Sequence, residues 1–479
     1  MRLNSLISYK ILSICMLEYL YKIYFEIIYE SGEIMKELEK FKSGQKYLKI
    51  VKAVSKEELL TCDKIDEGYK ELNSVKFVPA SGAATRMFTA FYEFLNTSEM
   101  NDSVQTFFDN NTKFAFYDDI LSFIKENDVD CASLEGKKRI VDFMINGLNY
   151  GNLPKALIKF HIENDVINTP IDEHVKEADA YLNENKAIHF TISNNHEALF
   201  NDYTNKFDDV NISYSFQKEE TNTLAVDQNN EPFVKGNGEV LYRPGGHGAL
   251  IANLNDIEAD LVFIKNIDNV CHDNHLNVTV DHKKRLASIG YDAKTKVDAY
   301  LKAIEANDYD LSEIKTFIEE FLKIQITAPF DLVLAKEILD KPLRVCGVVK
   351  NQGEPGGGPY VIQDEKYTSY QICEKAELDL TQPEVKEMLD HSNYFNPVDL
   401  VCFVKRFDGS KYDLMNYVND DRYFISNKTF EGRDLKALEL PGLWNGAMHN
   451  WNTLFVEVPL ETFNPVKTVN DLLRDKHQG

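Results

Sequence analysis

Val75-Lys76-Phe77-Val78-Pro79-Ala80-Ser81-Gly82-Ala83-Ala84-Thr85-Arg86-Met87 is the stretch on which the reading of this chain turns. Its first five residues are β-branched, aromatic and short enough for a single strand, which Pro79 closes. Five small residues follow, and an apolar, helix-period run then extends from Phe88 to Leu95. Strand, small-residue turn and helix start together make a phosphate site. Backbone N–H groups approach an anion closely only where side chains are tiny, and the helix dipole favours negative charge there. Arg86, one turn in, can add a bidentate contact to a phosphate. The same small residues also suit plain close packing, so the turn alone leaves both readings open.

Outward from this stretch the pattern repeats. Ile188-His189-Phe190-Thr191-Ile192 and Val210-Asn211-Ile212-Ser213-Tyr214-Ser215-Phe216-Gln217 read as strands, with a helical run from Asn195 to Lys206 between them. That is βαβ alternation, which predicts a parallel, doubly wound sheet. In Tyr242-Arg243-Pro244-Gly245-Gly246-His247-Gly248-Ala249-Leu250-Ile251 the glycines open a helix where a ligand can meet bare backbone. Asp260 to Asn269 reads as a buried strand with a polar tip, and ligands of open α/β sheets sit beyond such carboxyl ends. Asp268 there suits magnesium, with an Asx turn as the bland alternative. Gly151-Asn152-Leu153-Pro154-Lys155 pins a lysine beside an apolar run, although a bare Pro-Lys pair also describes a solvated lysine. Residues 35–73 and 96–150 read as helical and charged.

Composition narrows the partners. Against 53 Lys and Arg stand 77 Asp and Glu, a formal charge of −24 over 479 residues. Such a surface repels nucleic acid and anionic membranes, so neither is an expected partner. An anionic substrate then needs a local basic pocket or a bound cation. The seven cysteines are odd in number and never in CxxC spacing, which predicts a reducing, cytoplasmic setting. Cys271-His272-Asp273-Asn274-His275, with His282 nearby, offers two histidines three apart that could share a metal; lacking a second ligand group, it reads as a polar helix start. Within the first 34 residues, Lys10, Glu18, Lys22 and Glu26 interrupt the apolar run. It therefore fails as a membrane span or a cleaved signal, and residues 1–34 read as a non-native extension before a natural start at Met35, an interfacial helix being the rival.

Four of these segments in order resemble the nucleotide-sugar pyrophosphorylases, most of all those of UDP-sugars and UDP-N-acetylhexosamines. The glycine-rich loop of that family is similar to Ser81-Gly82-Ala83-Ala84-Thr85-Arg86-Met87 and its lysine element to Pro154-Lys155-Ala156-Leu157. Its base loop is similar to Pro244-Gly245-Gly246-His247-Gly248, and its metal-bearing strand end to Asn266-Ile267-Asp268-Asn269. Further on, Leu343 to Lys350 with Tyr360 to Gln363 resembles its strand pair, and Tyr370-Gln371-Ile372-Cys373-Glu374-Lys375 its sugar-contacting segment. The whole resembles an uncharacterised bacterial, DUF4301-like branch of the superfamily.

The resemblance implies an α/β fold: a Rossmann-like doubly wound mixed sheet of the nucleotide-diphospho-sugar transferase (GT-A-like) type, with helical N-terminal and inserted segments. It implies a helical segment over 35–73, a catalytic core over 74–420 and a C-terminal segment over 421–479 packed on that core. It implies transfer of a nucleotide from a nucleoside triphosphate, UTP first, to a sugar 1-phosphate with release of pyrophosphate. In that chemistry Arg86 holds the departing phosphates, Lys155 bridges the α-phosphate and the incoming one, and Asp268 holds Mg2+. Ser81, Gly82 and Thr85 cradle phosphate, and Gly245, Gly246, His247 and Gly248 face the base. Gln217 reads the base edge, and Glu374 binds sugar hydroxyls. Two departures stand out: Ala84 replaces a family glycine, implying strain or another loop path, and the insert between Arg86 and Lys155 is long. The loop Glu354-Pro355-Gly356-Gly357-Gly358-Pro359 has no counterpart and reads as a hairpin tip, with a lid over the sugar as the alternative. A noncatalytic nucleotide-sugar binder and a GT-A glycosyltransferase are the alternatives.

Overall fold

Strand β1 (Ser74–Pro79) lies in the middle of an eight-stranded mixed sheet. The computed structural model describes Gly32 and residues 34–479 apart from Ala83, Glu354 and Pro355, so the reading of residues 1–34 falls almost wholly outside the described residues. The other strands of the sheet are β2 (Ala187–Ile192), β3 (Asn211–Phe216), β4 (Leu261–Lys265), β5 (Leu343–Lys350), β6 (Tyr394–Phe395), β7 (Asp399–Phe403) and β8 (Asn452–Glu457). Across the sheet the order is β6-β5-β7-β4-β1-β2-β3, with β8 alongside β5. Strands β1 to β4 are mutually parallel, β7 runs against both β4 and β5, and β8 runs parallel to β5. The molecule is therefore mixed α/β, with the carboxyl ends of β1 to β5 and β8 on one edge.

The strands read as continuous apolar runs because both faces are covered. One face carries the helices Pro170–Tyr181, Leu276–Glu305, Leu311–Glu320 and Leu332–Leu339 over a core that includes Val78, Phe190, Phe263 and Val345. The other face buries Val75, Phe77, Val262 and Ile264 under Leu250, Ile251 and Leu254 of a short helix, together with Met448 and Trp451. A third core is rich in aromatic rings, among them Phe88, Phe91, Phe107, Phe114, Phe116 and Tyr150 of the insert. Its rings meet edge-on or stacked at 5.0 to 6.4 Å, spacings at which each pair adds about 0.5–1.5 kcal/mol beyond area burial.

Three expectations change. Residues 35–73 are helical only over 34–43; Ile50–Ala53 is instead an edge strand pairing with Gly358–Gln363, and short 3-10 turns follow. The β-branched pair Ile50-Val51, hidden among lysines, satisfies that neighbour's free edge. The loop at 354–359 is no hairpin tip, because the strands it joins lie in different sheets. Where Gly357 stands, a Cβ would come within 2.6 Å of Ile372 Cγ2, so that glycine serves close packing. The C-terminal segment packs on the core and also enters it: β8 completes the sheet, and Val466, Val469 and Leu472 join the aromatic core of the insert. Among the described residues no helix is long and apolar enough to cross a membrane, and the six described cysteines are free.

Candidate active site

The chain leaves β1 at Pro79 and enters the small-residue turn, with Ala80 buried and Ser81 and Gly82 exposed. A 3-10 turn, Ala84–Phe88, comes next, and the α-helix proper begins only at Thr89. The expected helix N-terminus is thus displaced from the glycine by a tight turn. Physically, Ala84, Met87 and Phe88 are drawn into the aromatic core, so this turn is wound by packing. Ala84 donates its N–H to Leu153 C=O at 3.2 Å, and Lys155 donates its own to Gly82 C=O at 3.4 Å. These two bonds tie the small-residue turn to the segment bearing Lys155. A Cβ on Gly82 would face open space, so the loop there is approachable from outside the chain. Thr85 and Arg86 are exposed, and among the described residues Arg86 forms no ion pair.

Lys155 and Asp268 meet. The Lys155 ammonium donates to Asp268 Oδ2 at 3.1 Å and to Val466 C=O at 2.8 Å. A second ammonium, that of Lys467, donates to the same oxygen at 2.9 Å. Asp268 is 5% exposed. Burial works to raise its pKa, but the two lysines outweigh it and hold the carboxyl below its ordinary range. Behind this point Lys265, the last residue of β4, shares the buried Glu177 with Lys76 at 2.5 and 2.9 Å. Burial lowers Lys76 to about 8 despite Glu177. His174 Nε2 donates to Ile267 C=O, 3.3 Å away, so the strand tip bearing Asp268 rests on a buried charged layer.

Lys467 is the residue that sequence reading missed. It stands in Asn464-Pro465-Val466-Lys467, beyond the apolar strand β8, as Lys155 stands after Leu153-Pro154. The same criterion, a lysine pinned by a proline near a strand end, would have singled it out. Val466 fixes it from the other side: its N–H donates to Asp268 C=O at 3.1 Å, and its side chain is fully buried.

The residues expected at a base and a sugar form a second group. Gly245 and Gly248 do not present open backbone: a Cβ would lie 2.6 Å from Thr221 C=O at Gly245 and 2.2 Å from Pro441 C=O at Gly248. These glycines therefore admit the chain's own 440–441 segment, which corrects the reading that a ligand alone needs them. Gly246 has φ +76°, a conformation glycine adopts without strain. Gln217, just past β3, points its amide at Thr221 Oγ1, 3.5 Å away and beside Gly245. His247 stacks on Trp444 at 4.4 Å and accepts the Leu443 N–H on Nδ1 at 3.1 Å, which leaves its proton on Nε2. That Nε2 lies 3.9 Å from Glu374 Oε1. Glu374 accepts the Asn445 side-chain amide at 2.6 Å, and burial raises its pKa in spite of that bond. The structure thus joins Ser81-Gly82 with Lys155 and Asp268, joins Gln217 with Gly245, and brings His247 beside Glu374. It leaves Arg86 apart.

No group of three or more His, Cys, Asp or Glu able to hold a metal ion occurs among the described residues, including the segment at 271–275. His272 instead caps a 3-10 turn and faces Ile162 C=O at 3.1 Å. A magnesium ion at Asp268 would therefore lack a protein cage of three or more such ligands and would ride on substrate phosphates.

Among solved structures, the chain is similar to the UDP-glucose pyrophosphorylase of Leishmania major, at 13% identity and TM-score 0.48 over 92% of this chain and 74% of that one. It is similar as well to a UDP-glucose phosphorylase of Trypanosoma brucei, at 13% identity and TM-score 0.45 over 95% of this chain and 79% of that one. No curated protein matches the sequence. The profile of a domain of unknown function matches from residue 25 to residue 478, and the chain belongs to that family, DUF4301.

Proposed function

We propose that this protein is a sugar-1-phosphate nucleotidyltransferase, taking a nucleoside triphosphate, UTP first, and releasing pyrophosphate. The observation that carries the reading is the convergence of Lys155 and Lys467 on Asp268 at the sheet's carboxyl edge, beside the open backbone of Gly82. In a chain of net charge −24, two ammonium groups on one carboxylate make a local positive site where two anionic substrates can be brought together. In this reading the sheet is a Rossmann-like, GT-A-like nucleotide-binding sheet, and its ligand edge lies where open α/β sheets bind nucleotides.

An oxygen of the sugar phosphate attacks the α-phosphorus in line; the bond from that phosphorus to the bridging oxygen breaks, and pyrophosphate leaves with the electron pair. Positioning and charge neutralisation carry such a transfer. Lys155 and Lys467 turn from Asp268 to the phosphates, Ser81, Gly82 and Thr85 line the loop they approach, and Arg86 is free to take the β- and γ-phosphates. Mg2+ carried by the triphosphate, with Asp268 as its protein ligand, would add neutralisation of the phosphate oxygens. Gly246, His247 and Gln217 face the base, and Glu374 takes sugar hydroxyls.

A noncatalytic nucleotide-sugar binder is the second reading, favoured by the already satisfied Asp268. Purified protein with Mg2+, each triphosphate and a panel of sugar 1-phosphates decides between them by released pyrophosphate. Turnover with one pair is expected; binding of a nucleotide sugar with no turnover for any pair would replace the enzyme by the binder.

A further inference from the structure

Glu374 is held from two sides, by Asn445 on its carboxylate and by Glu377 on its backbone, and one buried side chain touches the supports of both. The Glu374 carboxylate accepts the Asn445 amide at 2.6 Å, and the Glu377 N–H donates to Glu374 C=O at 2.9 Å. Glu377 returns the bond: its Oε2 accepts the Glu374 N–H at 2.7 Å. The other oxygen of Glu377 accepts Arg422 Nε at 2.6 Å. The remaining nitrogens of the Arg422 guanidinium donate to Ile372 C=O at 2.8 Å and to Gln371 Oε1 at 3.3 Å, two and three residues before Glu374. They also meet His449 Nδ1 at 3.3 Å. On the far side, the stem of Arg422 lies against Gly446, where a Cβ would sit 2.6 Å from Arg422 Cβ. Gly446 directly follows Asn445, whose backbone holds an irregular φ of −109° and ψ of −106°. Arg422 is 2% exposed and Glu377 is 1% exposed.

We propose that Arg422 is a positioning residue that aims the Glu374 carboxylate at the sugar 1-phosphate. Its planar fork fixes Glu377 and the end of the strand Thr368–Cys373, and its stem fixes the backbone that presents Asn445. The Asn445 bond to the carboxylate and the bond from the Glu374 N–H to Glu377 Oε2 therefore both depend on it. A lysine at this position keeps the charge but offers a single point donor, so it cannot hold Glu377 and two strand acceptors together. A buried ion pair need not add stability over apolar packing, which makes geometry the better reason for this one. The proposal rests on the sugar-binding reading of Glu374.

The test is a double-mutant cycle in the full chain on Arg422→Lys and Glu374→Gln, read by pyrophosphate release and by thermal melting. Each single variant should raise KM for the sugar 1-phosphate roughly tenfold to a hundredfold, leaving KM for the triphosphate within about twofold. The double variant should be no worse than Glu374→Gln, because Arg422 acts through that carboxylate. Losses that multiply, or an equal rise in both KM values, would overturn the proposal and leave Arg422 a structural residue. If Arg422→Lys loses its cooperative transition, Glu377→Gln takes its place in the same cycle. If the wild type turns over no substrate pair, the transferase reading falls, and the cycle is read instead on Kd for UDP-glucose by calorimetry. A non-additive loss there still supports positioning by Arg422; an additive loss, or no binding by the wild type, overturns it.

Discussion

Asp268, past the end of β4, and Glu374, past the end of the strand Thr368–Cys373 in the smaller sheet, are both carboxylates, and their surroundings push them in opposite directions. Asp268 is the more buried, yet two ammonium groups keep it ionised. The Glu374 carboxylate accepts from a neutral donor, the Asn445 amide, and burial shifts it towards the protonated form. The first arrangement concentrates cationic charge, as phosphate chemistry demands. The second offers directional acceptors without strong charge, which suits the hydroxyl groups of a sugar. Residue type alone would give the two sites one character; the partners divide the labour.

The sharpest way to break this contrast is to neutralise each carboxylate. Asp268→Asn should lower turnover by at least about 10³-fold, since it releases both lysines from their register and removes the one carboxylate at the phosphates. The circular dichroism spectrum should stay as in the wild type, because β4 and its buried layer are untouched. Turnover near the wild-type rate, with or without chelator, would remove Asp268 from the site. Glu374→Gln should cost less and act mainly through the sugar substrate.

Arg86 tests the phosphate side from the loop. Arg86→Ala should lower turnover roughly 10²- to 10³-fold, and Arg86→Lys should recover only part of it, because the fork as well as the charge meets the departing phosphates. Melting should not move in either variant, since the side chain is exposed and unpaired among the described residues. If both variants match the wild type in rate, the two lysines suffice and the loop only closes the site.

A third carboxylate extends the comparison to one paired with histidine. Glu173 and His161 Nδ1 are 2.8 Å apart, and His161 Nε2 lies 2.9 Å from His477 Nδ1, so the pair ties the helix Pro170–Tyr181 to the C-terminal turn. Burial raises Glu173 to about 8 and lowers His161 and His477 to about 3. Each histidine is neutral when folded, so its contribution is lost as pH falls below about 6.5, where the unfolded chain takes up the proton. Glu173 works the other way: folded, it keeps a proton that the unfolded chain has released, so its contribution fades as pH rises from about 4.5 to about 8. Above pH 6.5 only Glu173 of the three acts. Wild type should lose roughly 2 kcal/mol of stability from pH 6.5 to 8, and Glu173→Gln should abolish that slope. Urea unfolding at both pH values reads it; an unchanged slope in the variant would mean that Glu173 is ionised in the fold.

These sites were unequally legible in the sequence. The strand and turn at 75–87 and the tip at 266–269 could be read because each is local, an apolar run ending in residues with one evident use. Lys155 and Asp268, 113 positions apart, were both marked, but their meeting needed the register of β1 and β4. Lys467 was missed because it returns from the far end of the chain, carried by Val466, Val469 and Leu472 into an aromatic core that no local pattern announces. The strand Ile50–Ala53 was hidden in a lysine-rich stretch, since an edge strand needs only a neighbour with unpaired backbone groups. The glycines at 245 and 248 were noticed for a ligand and proved to serve Pro441 and Thr221. Sequence shows that backbone must be bare there, but not what approaches it.

Ala84 gives the smallest effect and the finest distinction on the phosphate side. Read against a family glycine, alanine at this point implied strain or an altered loop. Here the residue is fully buried beside Phe88 and Phe91, it opens a 3-10 turn, and its N–H is satisfied by Leu153 C=O. Its methyl group is a packing element, and the approachable backbone lies two residues earlier, at Gly82. Ala84→Gly should therefore destabilise: one buried methyl is worth about 0.8 kcal/mol, and the added freedom of glycine in the unfolded chain about 0.5–1 kcal/mol more. A drop of roughly 1–2 kcal/mol in urea unfolding is expected, with turnover unchanged within about twofold. A gain in turnover of tenfold or more, at whatever cost in stability, would show that ligand approach wants glycine at 84 and that alanine holds the loop closed.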